Sequence, residues 1–326
     1  MKVCITGGAG MIGSALVKEL VNRKHVVLVI DNLWRGKFSY LEKIDGFDEN
    51  KFFYNIDLSK WENQHKIVKI FKKCDAVIHL ADIVAGIEYV FNNQYDIFRL
   101  NNSINSNVFN ACAKAKILNI LYAGTACSFP KNLQLGLDSI LTENQLFPAN
   151  PESAYGWSKL LGTLELSYLK EKIHCKATTL ILHNVYGPNC DLTPGTSQVI
   201  PAIILRMIKL LPKEMLYVWG SGNQGRAFTY VDDIVRAFSV ALEKENIPDI
   251  IQIGPSQCTS IKNLVEILNN KVIKKELQLF YDISKPEGDM GRCANYSLAF
   301  ECLGWSPQVS LTEGLNNTYE WIKNQL

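Results

Sequence analysis

Thr6-Gly7-Gly8-Ala9-Gly10-Met11-Ile12-Gly13 constrains this chain more than any other stretch. Its glycines fall at 7, 10 and 13, a G-x-x-G-x-x-G spacing rather than the commoner G-x-G-x-x-G. The apolar run Val3-Cys4-Ile5 precedes them, an amphipathic stretch Met11–Asn22 follows, and a second apolar run fills residues 26–30. Strand, glycine turn, helix and strand in that order predict a βαβ unit with both sheet faces covered. The first glycine permits a backbone turn closed to other residues. The second lets a pyrophosphate approach the main chain, and the third lets helix and strand pack closely. The helix N-terminus then faces the phosphates. Asp31 lies 18 residues past Gly13, at the end of the second strand, where an acid takes ribose hydroxyls. A carboxylate there repels a 2′-phosphate, so NAD is expected over NADP. Arg35 and Lys37 lie close enough in sequence to weaken that preference.

The same rhythm continues. Residues 52–55 read as a strand, Ser59-Lys60-Trp61-Glu62 as a capping box opening a helix, and residues 76–79 as the next strand. A long helical segment spans 88–115, a strand 117–122, a helix opened by Pro151 runs to 171, and a strand fills 177–182. Alternation on this scale predicts a doubly wound parallel sheet. Asp57-Leu58, after the third strand, falls within reach of an adenine. Past residue 183 glycines and prolines cluster and the elements shorten: a helix near 199–209, a strand at 216–219 and a helix at 231–243. Ser310-Leu311-Thr312-Glu313 reads as a second capping box before a final helix. The division predicted is 1–182 with 225–256 for the dinucleotide domain, and 183–224 with 257–326 for a smaller substrate lobe.

Composition excludes several classes. Net charge is +2, with no Lys/Arg-rich block, which argues against a nucleic-acid surface. No apolar run is long enough to span a bilayer, and glycines interrupt the N-terminal residues before a signal-peptide core can build. The nine cysteines are scattered, with no C-x-x-C and no zinc-spaced Cys/His set, so no metal is expected. A reducing cytoplasm is the simplest reading of free thiols.

The strongest chemical motif is Ser153-Ala154-Tyr155-Gly156-Trp157-Ser158-Lys159. Tyr155 and Lys159 are four apart and share a helix face. A free phenol titrates near about 10 and is a poor base at neutral pH. A neighbouring ammonium favours the phenolate, which can then take an alcohol proton as hydride leaves the carbon. Thr125, at the end of the preceding strand, is placed to orient that alcohol.

These residues together resemble the extended short-chain dehydrogenase/reductase family of nucleotide-sugar enzymes. The likeness runs through the glycine triplet, His79-Leu80-Ala81-Asp82, Tyr155 to Lys159, His183-Asn184-Val185-Tyr186-Gly187-Pro188, Trp219-Gly220-Ser221-Gly222 and Arg226-Ala227-Phe228-Thr229-Tyr230-Val231-Asp232-Asp233. It implies an α/β, Rossmann-type sheet with a smaller C-terminal α/β lobe, tightly bound NAD, and a nucleotide-diphosphate sugar as substrate. By the same resemblance Met11, Ile12, Asn32, Asp57, Leu58, Leu80, Ala81 and Asn101 join the cofactor contacts. The stretch from Ala123 to Pro130, Val199-Ile200-Pro201-Ala202, Pro286-Glu287-Gly288, Leu303-Gly304-Trp305-Ser306-Pro307 and Tyr319-Glu320-Trp321-Ile322-Lys323 are similar to the GDP-sugar branch, the GDP-mannose 3,5-epimerases and GDP-fucose synthases. That likeness implies that Asn184 and Arg226 contact the diphosphate and that Arg292 holds phosphate or ribose. It also implies that Val199 and Trp219 belong to the substrate wall, and that the chain forms a homodimer or tetramer through its long helices.

Cys127 matches the acid/base cysteine of that branch. The partner lysine or histidine is missing, because Ser197-Gln198-Val199 stands in its place. Neither Gln198 nor Val199 carries a proton at working pH. Cys127 therefore has two readings, a proton carrier and a small pocket wall. Oxidation at C4 needs only Thr125, Tyr155, Lys159 and NAD, whereas double epimerisation needs two proton carriers. The resulting expectation is NAD-dependent oxidation at C4 of a GDP-activated manno-configured sugar, a hexose or a heptose of capsule biosynthesis. A 3,5- or 4-epimerase is the alternative, and a non-catalytic NAD-binding sensor is the alternative from another class.

Overall fold

The computed structural model describes residues 1–285 and 288–326. Pro286 and Glu287, part of one stretch singled out above, lie outside the described residues. The dinucleotide half is built from β1 (Lys2–Thr6), α1 (Met11–Asn22), β2 (Val26–Asp31), β3 (Phe53–Asn55), α2 (Gln64–Phe71), β4 (Ala76–His79), α3 (Gln94–Ala115), β5 (Asn119–Thr125), α4 (Ala154–Ile173), β6 (Lys176–Leu182), α5 (Val231–Glu243) and β7 (Ile250–Ile253). The seven strands form one sheet in the order β7-β6-β5-β4-β1-β2-β3, and all their pairings are parallel. The α/β, doubly wound arrangement is the one expected. The order reverses between β1 and β4, which opens a crevice at the carboxyl ends of the strands.

Both faces of the sheet are covered, as the near-continuous apolar strands require. Val3 and Ile5 of β1 pack in one core with Leu16 and Leu20 of α1 and Ile234 and Phe238 of α5. Cys4, pointing the other way, packs with Phe71 of α2, Val108 and Phe109 of α3, and Leu166 of α4. Alternate residues of one strand thus enter opposite cores.

Several local expectations change. Ser59 is not a helix cap: its hydroxyl donates to Asp57 Oδ1 at 2.7 Å, and the turn over Trp61–Asn63 follows Lys60 without a side-chain cap. The short side chain bonds its own turn instead. The helix expected from Pro151 begins at Ala154, where Ser153 Oγ accepts from the Gly156 amide at 3.3 Å. The helix expected over 88–115 is two helices, Ile87–Asn92 and Gln94–Ala115, broken where Asn93 adopts φ −125° and ψ 31°. Ser310 does cap the last helix, Leu311–Lys323, by accepting from the Glu313 amide at 3.3 Å.

A second, four-stranded sheet matters for the site. Its order is Thr259–Ser260, Gly225–Arg226, Gly291–Ala294 and Leu135–Leu141. Gly225–Arg226 runs parallel to Gly291–Ala294 with Arg226 directly opposite Arg292. Cys258, just before Thr259–Ser260, and Cys293, in Gly291–Ala294, form a disulfide with Cα atoms 5.5 Å apart, although they are 35 residues apart in sequence. The other seven cysteines are free. Among the described residues no helix is long and apolar enough to cross a membrane.

Candidate active site

The crevice at the reversal point is a cavity of about 760 Å³ that continues into the space between the two sheets. Gly7, Gly10, Met11, Ile12, Gly13, Asp31, Asn32, Asp57, Leu58, Leu80 and Ala81 line one part of it. Thr125, Cys127, Tyr155 and Lys159 line it in the middle stretch of the chain, and Asn184, Val199, Trp219, Arg226 and Arg292 contribute from the lobe. The sequence-expected residues therefore converge on one cavity, with Asn101 as the exception. Asn101 is wholly buried and is not a wall residue. Its Oδ1 accepts from the Ile83 amide at 2.6 Å, and its Nδ2 donates to Ile83 O at 3.1 Å and to Ser158 Oγ at 3.3 Å. It clamps the loop after β4 rather than contacting the cavity.

The glycine loop is formed for close approach. Gly7 sits at φ 73°, and a Cβ there would lie 2.8 Å from the Ala81 amide nitrogen. A Cβ on Gly13 would lie 2.1 Å from Gly7 O, so helix α1 could not seat against the loop with any side chain there. Gly10 precedes α1 with no side-chain cap, which leaves the helix N-terminus open to the cavity. Asp31, buried, accepts from the amides of Ala9 at 3.0 Å and Leu33 at 2.8 Å. Burial raises its pKa against the pull of those bonds. Arg35 turns away to Asp191 at 3.3 Å and donates to Val84 O at 2.7 Å. Its guanidinium is thus paired, although Arg35 lines the same cavity as Asp31.

At the reaction centre Thr125 Oγ1 accepts from the Cys127 amide at 3.3 Å. Tyr155 and Lys159, on one face of α4, converge on Asp82: the Tyr155 hydroxyl donates to Asp82 Oδ2 at 3.1 Å, and Lys159 Nζ lies 3.2 Å from the same oxygen. Lys159 is 1% exposed and its Nζ also lies 4.4 Å above the Tyr122 ring. The sequence expectation of a lowered Tyr155 pKa is corrected. Burial, then the charge of Asp82 and that of Cys127, push the phenol well above its ordinary value. Burial pulls the Lys159 ammonium down, but Tyr122 and Asp82 outweigh it and the net shift is upward. The lysine spends its charge on the carboxylate instead of the phenol.

On the lobe side Arg226 Nη1 donates to Gly225 O and to Asp289 O, each at 2.7 Å. Arg292 Nη1 donates to Gln134 Oε1 at 2.9 Å and Asp289 Oδ2 at 3.0 Å, and its Nη2 donates to Cys127 Sγ at 3.2 Å. Burial lowers Arg226 to about 10, helped by the charge of Arg292. Two buried guanidiniums of like charge side by side favour an anion between them.

Three functional candidates escaped the sequence reading: Asp82, Glu152 and Asp289. Asp82 closes the run His79-Leu80-Ala81-Asp82 at the end of β4, and Glu152 immediately precedes the Tyr155 motif, so position could have flagged both. Burial, followed by a hydrogen bond with Asp289 and that residue's charge, raises Glu152 from the usual 4.5 to about 7, against the pull of Arg292 and Arg226. Ser197, Gln198 and Val199 do line the cavity.

A Rossmann sheet with a glycine loop, a buried carboxylate at the end of β2 and a Tyr/Lys pair in one cavity defines the scaffold of a dinucleotide-dependent enzyme. Residues 3–254 match the family described as NAD dependent epimerase/dehydratase, and the chain belongs to that family. It is similar to GDP-mannose 3,5-epimerase 1 of Oryza sativa subsp. indica, 31% identical, with 100% of this chain and 82% of that protein covered. It is also similar to GDP-L-fucose synthase 1 of Arabidopsis thaliana, 30% identical, covering 99% and 94% of the two chains. UDP-glucuronic acid 4-epimerase from Bacillus cereus, solved with UDP-glucuronic acid and NAD, superposes with TM-score 0.85 at 27% identity over 100% of both chains. Nucleotide-sugar epimerase/dehydratase-type activity with NAD is therefore this chain's class of chemistry. The cavity fits that cofactor. The glycine loop excludes any Cβ at 7 or 13, and Lys159 Nζ and Arg292 Nε are buried without a hydrogen bond of ordinary geometry among the described residues.

Proposed function

We propose that this protein oxidises C4 of a GDP-activated, manno-configured sugar, hexose or heptose, to the 4-keto sugar. The observation that carries this reading is the single cavity that joins Thr125, Tyr155 and Lys159 to Arg226 and Arg292, while Gln198 and Val199 bring no proton carrier to it. NAD+, when bound, supplies the acceptor for the C4 hydride. In its phenolate form Tyr155 takes the C4 hydroxyl proton, and Thr125 holds that hydroxyl in place. Lys159, its buried ammonium paired with Asp82 beside Tyr155, would help to hold the cofactor. Arg226 and Arg292 hold the diphosphate, with Asn184 beside them, which fixes the sugar relative to Tyr155. The preference for GDP rests on the likeness to GDP-sugar enzymes. A homodimer is proposed through α3 and α4, which leave Tyr95, Phe98, Leu161 and Tyr168 exposed.

One observation favours a second reading, 3,5-epimerisation. Cys127 lines the cavity and its sulfur takes a hydrogen bond from Arg292. Incubation with GDP-mannose in heavy water, followed by NMR of the sugar, separates the two. The dehydrogenase reading expects a 4-keto product with unexchanged C3 and C5. Deuterium at C3 or C5 overturns it in favour of the epimerase.

A further inference from the structure

We infer that Asp82 is a positioning residue of the reaction centre: by sharing one carboxylate oxygen between the Tyr155 hydroxyl and the Lys159 ammonium, it holds Tyr155 as the protonated phenol and sets the pH at which it can act as a base. The inference deepens the proposed role of Tyr155 and rests on it only for the activity readout.

The geometry is direct. Asp82 Oδ2 lies 3.1 Å from the Tyr155 hydroxyl and 3.2 Å from Lys159 Nζ. A lysine beside a tyrosine on one helix face ordinarily favours the phenolate. Here the carboxylate stands as the ion partner of that lysine, and it also receives the phenol proton as a hydrogen bond. Both contacts stabilise the neutral phenol over the phenolate.

The loop that carries Asp82 is fixed to the helix that carries Tyr155. Asn101 brackets Ile83, the next residue, with bonds of 2.6 and 3.1 Å to its amide and carbonyl. The same Asn101 donates to Ser158 Oγ at 3.3 Å, and Ser158 Oγ donates to Tyr155 O at 2.9 Å. On the other side of Asp82 the Ala81 amide donates to Thr6 Oγ1 at 3.4 Å, and Thr6 Oγ1 lies 2.7 Å from His79 Nδ1. Asp82 is held between two anchored residues, which explains why wholly buried Asn101 sits outside the cavity yet beside its chemistry.

The other groups facing this cluster are few. Tyr122 lies under Lys159, Cys127 acts on Tyr155, and buried His79 stays neutral because burial and the Lys159 charge lower it to about 3. Removing the Asp82 carboxylate deletes one charge opposing the phenolate. It also frees the Lys159 ammonium to face Tyr155, so both consequences favour ionisation.

The test is ultraviolet difference titration of tyrosinate in the cofactor-free protein, with Tyr155→Phe subtracted to isolate the Tyr155 transition. Asp82→Asn should move that transition to lower pH by about one unit or more. Asn101→Ala, which releases the loop without touching the carboxylate, should move it the same way by less. The acid limb of kcat/KM for Asp82→Asn should shift in parallel. A Tyr155 transition unmoved in Asp82→Asn, or moved upward, overturns the inference. If Asp82→Asn does not fold, Asp82→Ser and Asn101→Ala are titrated instead, and absence of a downward shift in both overturns it equally. Retained turnover in Tyr155→Phe would sink the proposed catalytic reading while leaving the titration result to stand or fall alone.

Discussion

Replacing Glu152 by glutamine should stabilise the protein, and only above acidic pH. Glu152 is half-buried, hydrogen-bonded to Asp289, and raised from the usual 4.5 to about 7 by burial and that neighbour. Between those values the folded protein holds the proton more tightly than the unfolded chain. Stability therefore falls as pH rises through the window and is undiminished below 4.5. At about 1.4 kcal/mol per unit the whole shift is worth at most about 3 kcal/mol. A carboxyl this exposed feels screened charges, which reduces the figure to about 1 kcal/mol. Glutamine keeps the shape of the protonated acid and never ionises. Urea denaturation of both proteins across pH 4.5 to 8.5 is the assay. The two curves should coincide at the acid end, and Glu152→Gln should be more stable by about 1 kcal/mol at the alkaline end. A difference that does not change with pH, or a variant less stable above pH 7, refutes the reasoning. Because only the difference is read, titrating groups that do not interact with Glu152 cancel.

Gly13→Ala places a Cβ 2.1 Å from Gly7 O and should cost about 1–3 kcal/mol with loss of NAD binding, measured by thermal melting and calorimetry. Asp31→Asn removes the charge that repels a 2′-phosphate while keeping its size, so titration with both cofactors should show NADP binding strengthened relative to NAD by about tenfold. His183 is held neutral at about 4, chiefly by burial and further by Arg292, with a hydrogen bond to Gln252 pulling the other way. The unfolded chain protonates near 6.5, so this group's stabilisation is present above that pH and is lost as pH falls toward 4. His183→Gln should flatten that acid slope by about 3 kcal/mol in denaturant melts, and an unchanged slope would count against it.

The parts of the cavity whose placement is legible in the sequence are those whose physics is local. A glycine triplet reports backbone sterics within a few residues, and Tyr155 with Lys159 reports the pitch of one helix. What escaped is set by tertiary pairing. Asp82 reaches Tyr155 across 73 residues of sequence, and Asp289 reaches Glu152 from farther still. No periodicity marks such meetings. The reversal of the Tyr155 shift has the same origin, since spacing placed the lysine but not the carboxylate that occupies it. Ser59 and Ser310 show how one local pattern divides. Both precede a glutamate by three, yet Asp57 captures the first hydroxyl while the second accepts from the Glu313 amide. Asn101, which the family resemblance puts among the cofactor contacts, lies one layer behind the cavity wall.

Arg226 and Arg292 face the cavity only because two short parallel strands pair with their arginines opposite. A slip of one residue in either strand would turn that arginine to the other face. Anything that grips both guanidiniums must therefore also hold that register. An anion bound there ties together three distant chain segments, since Leu135–Leu141 pairs with the same strand. For the proposed diphosphate contact, affinity and the ordering of this small sheet are then two readings of one equilibrium: the ligand should protect these strand amides from hydrogen exchange, and loosening the strands should release the ligand.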